Sequence, residues 1–239
     1  MKIEKSIIPY LTNEKFSNGL NLKMSEQGSI FKNRIEALVR ITNNKNVIHF
    51  GCADHPPLIE SKFKNNKYLH AILDENTKHL VGLDYNPEGI DIMKNKLNME
   101  NVYLFDLFSD TLDEAVSKEK FDYILLGEIL EHVNDPVSFL KEIKIKFKGV
   151  CDKIIITVPN IACKSRFNDI LNDVECINTD HRYWFTPFTL AKVLTCAGYL
   201  PLEINGADIA SANILNKIAL KIKEPKISNC ETLVAIAEI

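Results

Sequence analysis

From residue 47 onward the chain alternates short, unbroken apolar runs with amphipathic stretches, and this alternation restricts the fold more than any other feature. The runs are Val47–Phe50, Leu80–Leu83, Val102–Phe105, Tyr123–Leu126 and Ile154–Val158. Runs this short that lack a polar face predict strands covered on both sides, which means a parallel sheet between layers of helix. The stretches between them carry helical periodicity over Glu88–Asn95, Leu112–Ser117, Pro136–Lys146 and Thr189–Ala197, the last ending at Gly198. Strand–helix alternation of this kind predicts a doubly wound, Rossmann-like α/β fold. Leu200–Ile204 and Thr232–Ile239 read as two further strands, with an amphipathic helix, Ser211–Ile222, between them.

A chain of 239 residues can bury one such core without metals or disulfides. The expected domain is 46–239, with a helical insertion near 205–231. Before it comes a lead-in or cap over 1–45, in which Ile30, Ile35, Leu38, Val39 and Ile41 predict a helix from about Ser29 to Thr42. Apolar residues make up 46% and charged residues 26%, the proportions of an ordinary globular protein. Net charge is −3 with both signs interleaved, so no basic face for nucleic acid is expected. The six cysteines show no zinc-site spacing, the N-terminus shows no secretory h-region, and no apolar run reaches the roughly 20 residues of a membrane span. These features predict reduced thiols in a cytoplasmic protein.

Ligands of doubly wound sheets lie beyond the carboxyl ends of the strands, so residues at those ends are the candidates. The first strand runs into Gly51-Cys52-Ala53-Asp54-His55-Pro56-Pro57. There a glycine allows a tight turn, and a helix opened by proline could meet an anion. The second ends at Asp84, placed either to accept hydrogen bonds from ribose hydroxyls or to cap the helix after Pro87. The third ends at Asp106, a carboxylate among apolar neighbours that could meet an adenine amine. The fourth leads into Glu128, Glu131 and His132, and a histidine beside two acids at a strand end is a candidate for proton transfer.

Taken together, these residues resemble the class I S-adenosylmethionine-dependent methyltransferases, most closely the branch of ubiquinone-pathway O-methyltransferases and sugar and small-molecule methyltransferases. The similarity spans roughly Val47 to Gly198. It rests on FDYILLGEILEHVNDPVSFLKEI (121–143), KIIITVPN (153–160) and DHRYWFTPFTLAKVLTCAGY (180–199). The resemblance implies a seven-stranded sheet whose last strand, Thr232–Ile239, inserts antiparallel between the strands at 154–158 and 200–204. It implies S-adenosylmethionine as cofactor, with Gly51, Cys52 and Ala53 at its methionine end. Asp84 and Tyr85 would lie at the ribose, Asp106 and Leu107 at the adenine, and the backbone of Gly127 and Glu128 near the transferred methyl. Two features depart from the family pattern. His49 stands where an acid is usual, with Ala53 and His55 in the second and third glycine places. Gly51 to Asp84 spans 33 residues instead of about 20, so an extra helical turn or loop is expected within Lys62–Lys78.

A sulfonium methyl is already activated, so the protein must mainly align the acceptor and remove its proton. His132 and His181 are the expected proton acceptors. Tyr183 and Trp184 could wall the acceptor pocket, and Arg182 could pair with an anionic acceptor or with Asp180. No ligand spacing argues for a metal. The expected acceptor is a sugar or other small polar metabolite methylated on oxygen, and 1–45 and 205–231 are expected to shape its pocket or a homodimer contact. Three other functions compete: an NAD(P)-dependent oxidoreductase, which would need a complete Gly-x-Gly-x-x-Gly turn; a methyltransferase-fold binding subunit without catalysis; and, third, nucleic-acid methylation, for which no basic tract or appended RNA-binding module is visible.

Overall fold

Each apolar run marks a strand of one sheet, with Phe105 alone lying one residue past its strand. The computed structural model describes residues 1–25, 27–210 and 226–239. The strands are β1 (Asn46–Phe50), β2 (His79–Asp84), β3 (Val102–Leu104), β4 (Tyr123–Gly127), β5 (Lys153–Pro159), β6 (Leu200–Ile209) and β7 (Cys230–Glu238). They form a seven-stranded sheet in the order β3-β2-β1-β4-β5-β7-β6. β1 pairs in parallel with β2 and β4, Ile48 standing opposite Val81 and Ile124, and β7 runs antiparallel to β6. The mostly parallel sheet with its inserted last strand is therefore the architecture expected.

The helices are α1 (Ile8–Leu11), α2 (Arg34–Thr42), α3 (Pro56–Lys64), α4 (Leu69–Asp74), α5 (Pro87–Asn95), α6 (Glu114–Ser117), α7 (Pro136–Lys146), α8 (Lys164–Leu171) and α9 (Pro187–Cys196). Several bounds differ from the sequence reading, for local reasons. α2 begins at Arg34, not near Ser29, because Phe31 N–H donates to Gly206 O (2.9 Å) and Asn33 caps the helix by accepting from Glu36 N–H (2.8 Å). α8 lies outside the helices predicted from sequence: its apolar residues Phe167, Ile170 and Leu171 share one short face, and none of its side chains is buried. β6 continues to Ile209 and β7 starts at Cys230, so the 205–231 insertion is shorter than expected at both ends. The helix expected over 211–222 lies outside the described residues. None of the described helices is long and apolar enough to cross a membrane.

The chain forms two compact units. One comprises 38–127, 138–155 and Ile239; the other comprises 1–37, 128–137 and 156–238. In the first, Phe50 makes edge contacts with Phe105, Phe139 and Phe147. A second apolar cluster joins Cys52, Ile59, Tyr68, Ile90, Met93 and Val102. In the second unit the lead-in residues join β6, with Ile30 bridged to Gly206 and Lys2 to Glu203.

Gly82, in the middle of β2, is required by close approach. A Cβ there would lie 2.7 Å from His70 Cε1, 2.8 Å from Cys52 Sγ and 2.9 Å from Val102 Cγ1. Gly82→Ala is expected to lower stability by about 1–3 kcal/mol, the usual cost of overpacking a core. The midpoint of urea unfolding at unchanged m-value measures it.

Candidate active site

The turn after β1 is shaped by Gly51, whose φ of 73° is a left-handed conformation that side chains strain against. Gly51 and Cys52 N–H both donate to Leu83 O (2.7 and 3.3 Å), and Tyr68 Oη donates to Cys52 O (2.8 Å). Gly89 in α5 comes so close that a Cβ on it would lie 2.6 Å from Ala53 Cβ. This tight backbone turn at a strand's carboxyl end, with a glycine on the facing helix, fits a nucleotide-type cofactor. α3 starts at Pro56, one residue earlier than Pro57. Its first two positions are prolines without N–H groups, which leaves its N-terminus fewer donors for an anion than the sequence reading assumed.

Asp84 sits at the tip of β2 but is only 3% exposed. Its Oδ2 accepts from Ala53 N–H and its Oδ1 from Asn86 N–H, both at 2.9 Å. Burial raises its pKa, against the pull of these backbone donors. The carboxylate thus braces the Gly51 turn, and a ribose contact would use the second lone pair of either oxygen. The helix after Pro87 is capped instead by Asn86, whose side chain accepts from Glu88 and Gly89 N–H. Asp106, beyond β3, is exposed and accepts from Phe108 N–H (2.8 Å), while Leu107 is buried. Tyr85 and Phe108 are exposed at the same strand ends, free to cover a planar ligand.

In the second unit, Glu128, Glu131, His132, Asp180 and His181 come together. Glu128 immediately follows Gly127, the last residue of β4, and has φ 57°, unusual for a side-chain-bearing residue. Its N–H donates to the backbone and side-chain oxygens of Thr157, both at 3.1 Å. Such a conformation costs about 1–3 kcal/mol. The others among the described residues are all at Asn, Asp or Gln, which leaves Glu128 the one glutamate held this way. The segment around His181 is tied to this corner by main-chain bonds. Arg182 N–H donates to Glu131 O (2.8 Å), Arg182 Nη1 donates to His132 O, and Tyr183 Oη donates to Asn134 O (2.7 Å). The expectation that Arg182 pairs with Asp180 holds as a longer contact of 3.5 Å.

These ties bring the His132 and His181 rings edge to face at 4.7 Å, and His181 in turn meets Trp184 at 6.2 Å. His132 Nδ1 lies 2.8 Å from Asp180 Oδ2, and this bond holds the Asp180 carboxyl below its ordinary pKa. In the neutral ring, an ionised Asp180 favours the tautomer with the proton on Nδ1 and the lone pair on Nε2. That atom lies 3.9 Å from Glu131 Oε1. Burial holds His181 below the usual histidine range, which keeps it neutral. Asp180→Asn is expected to reduce turnover about 10–100-fold and to change the acid limb of the pH–rate profile, because the amide no longer dictates the tautomer.

The two glutamates are the electrostatic anomaly. The Glu131 side chain is fully buried, and neither carboxylate oxygen has a hydrogen-bond partner. Burial first, and the neighbouring Glu128 second, push its pKa up to about 8. Glu128 is also raised by burial, opposed by Arg34, whose Nη1 is 3.7 Å from Oε1. The sequence spacing argued for no metal, yet Glu131, His132 and His181 each present a ligand atom within 4.8 Å of the others. A carboxylate and two imidazoles suit a divalent transition ion, and a buried, unpartnered carboxylate is what such an ion would satisfy. Nothing local in the sequence shows this, since His181 joins Glu131 and His132 only through the fold.

Strand order, the inserted antiparallel β7 and the turn after β1 define the methyltransferase form of the Rossmann-like fold. A methyltransferase-domain family model matches residues 24–204, and the chain belongs to that family. That membership gives the chain a methyltransferase domain with S-adenosylmethionine as its cofactor, and it removes the oxidoreductase alternative. Solved structures with the same fold include the small RNA methyltransferase HEN1 (20% identity, TM-score 0.54), which matches 86% of this chain. The magnesium protoporphyrin IX methyltransferase ChlM from Synechocystis PCC 6803, solved with bound SAH, has 12% identity over 85% of this chain and 81% of its own length (TM-score 0.51). The methyltransferase domain of bacterial CtHen1 has 16% identity over 85% of this chain and 94% of its own (TM-score 0.50). The chain spans only 24% of the HEN1 structure's length, and 41% of a second match in an RNA repair complex. No curated protein matches it.

Proposed function

We propose that the enzyme methylates a hydroxyl of a sugar or other small polar metabolite, with His132 as the group that takes the hydroxyl proton. The observation that carries this reading is the Asp180–His132 contact of 2.8 Å, which favours the neutral tautomer with Nε2 as the proton acceptor. In this reading Gly51, Cys52 and Ala53 hold the methionine end of S-adenosylmethionine, Asp84 and Tyr85 the ribose, and Asp106 and Leu107 the adenine. The bound cofactor supplies an activated methyl; the protein's part is to hold the acceptor oxygen in line and remove its proton. His181, neutral and in ring contact with His132, orients the acceptor, with Trp184 beside it. The net charge of −3 favours a small acceptor over a polynucleotide.

The unpartnered Glu131 favours a second form of the same reaction, in which Glu131, His132 and His181 hold a divalent cation. Such an ion would lower the pKa of an acceptor hydroxyl. Methyl transfer from labelled S-adenosylmethionine to a panel of sugars, nucleosides and a short RNA, with and without Mn²⁺ after chelation, tests both forms. Transfer to free sugars is expected. Transfer to RNA alone would overturn the acceptor class, and full activity after exhaustive chelation would overturn the cation.

A further inference from the structure

The turn assigned to the cofactor departs from the pattern of the family that the sequence resembles. Ala53 and His55 occupy glycine places and His49 an acid's place, yet the turn's main-chain groups are held from outside. Part of that support comes from the insertion that lengthens the interval between Gly51 and Asp84. Tyr68, 2% exposed, donates its hydroxyl to Cys52 O at 2.8 Å. His70, in α4 and 4% exposed, places Nδ1 3.1 Å from Nδ1 of His49, the rings nearly parallel at 17°. At that separation one Nδ1 donates a proton to the other, and burial holds His70 well below the usual histidine range, at about 4. His49 is the last residue but one of β1, two residues before Gly51. Gly82 leaves the space that His70 and Cys52 fill.

We infer that Tyr68 and His70 are positioning residues for S-adenosylmethionine, bracing the Gly51–Asp54 turn from the insertion in place of the missing acid and glycines. Neither residue needs to touch the cofactor. Tyr68 fixes the direction of the Cys52 carbonyl, and His70 fixes His49 at the strand end from which the turn departs. With the turn held before the cofactor arrives, binding does not have to order it, and preorganisation of this kind is read as affinity. The inference rests on the proposed placement of the cofactor at this turn.

The test is SAH binding by calorimetry, together with steady-state kinetics, on Tyr68→Phe, His70→Gln and His70→Phe. Ile59→Val, in the same buried cluster, serves as a control for general loss of packing. Tyr68→Phe is expected to weaken SAH binding about tenfold, the equilibrium equivalent of one buried hydrogen bond. The KM for S-adenosylmethionine should rise with it, while kcat and the acceptor KM stay unchanged. His70→Gln, which can still bond to His49, should stay within about threefold of the parent, and His70→Phe should weaken binding about tenfold or more. Ile59→Val should lower Tm without changing SAH affinity. Parent-like SAH affinity in both Tyr68→Phe and His70→Phe would overturn the brace, as would an equal loss of affinity in Ile59→Val. If Tyr68→Phe does not fold, the contrast between His70→Gln and His70→Phe decides alone. Failure of the cofactor placement itself shows differently: SAH binding to the parent protein would then leave the backbone amide resonances of Gly51–Asp54 unshifted.

Discussion

His132→Ala is expected to reduce methyl transfer by about 10²–10⁴-fold while leaving SAH affinity within about twofold of the parent, the usual range for removing a positioned proton acceptor. In the proposed role His132 depends on Asp180, which lies 2.8 Å from Nδ1 and so favours the neutral tautomer whose lone pair is on Nε2. Alanine removes both the acceptor atom and the partner that holds Asp180. The loss should therefore fall on kcat at saturating cofactor, because the proton moves only as the methyl does. Raising the pH should partly restore the variant, since an acceptor hydroxyl ionises more readily without help from the protein. Single-turnover kinetics over pH 6–9 measure both effects. A variant with parent-like turnover would remove His132 from the chemistry and leave His181 as the histidine to test.

The second large effect concerns stability. In the metal-free protein the Glu131 carboxyl holds its proton up to about pH 8, against 4.5 for the ordinary group. The folded state therefore binds more protons than the unfolded state between these values, so stability falls as pH rises through the interval and levels off above pH 8. The slope cannot exceed about 1.4 kcal/mol per pH unit for one such group. Glu128, raised in the same direction, adds to it. Glu131→Gln cannot ionise and should flatten most of this decline, giving a variant with a higher Tm than the parent at pH 8 and nearly the same Tm at pH 5. Thermal unfolding in chelator across pH 5–9 reads the difference directly. If the three-residue group holds a cation, Mn²⁺ should raise the Tm of the parent most at pH 8 and release a proton on binding, and Glu131→Gln should lose both responses. A parent protein whose Tm is flat from pH 5 to 8 would show that Glu131 finds a partner in solution.

Much of the architecture was legible in the residues because a buried parallel strand has no polar face to hide. The five apolar runs lie within β1 to β5, except that Phe105 falls one residue beyond β3, and Pro136–Lys146 is a helix over its full predicted length. The Pro that opens it and the change of period on either side are local signals. Signals were absent where partners are distant. α8 carries Phe167, Ile170 and Leu171 at helical spacing, but the stripe is only one turn long and stays exposed, so it gave no core-facing signal. The start of α2 is set by pairing with Gly206, far along the chain.

The candidate site divides in the same way. The residues at the strand ends, Gly51, Asp84, Asp106 and Glu128, could be read from the sequence because a strand's carboxyl end is fixed once the strand is recognised. What those residues do there was decided by three-dimensional contacts. Asp84 is taken up by the amides of Ala53 and Asn86, and His49 meets a second histidine from an insertion whose sequence promised only extra length. Glu131, His132 and His181 became a possible cation site only when Arg182 and Tyr183 tied their segment to the corner after β4. Periodicity follows from which residues must avoid water, and that is written locally along the chain. Hydrogen bonds and charge pairs between distant segments depend on distances of a few ångströms, and only the folded chain sets those.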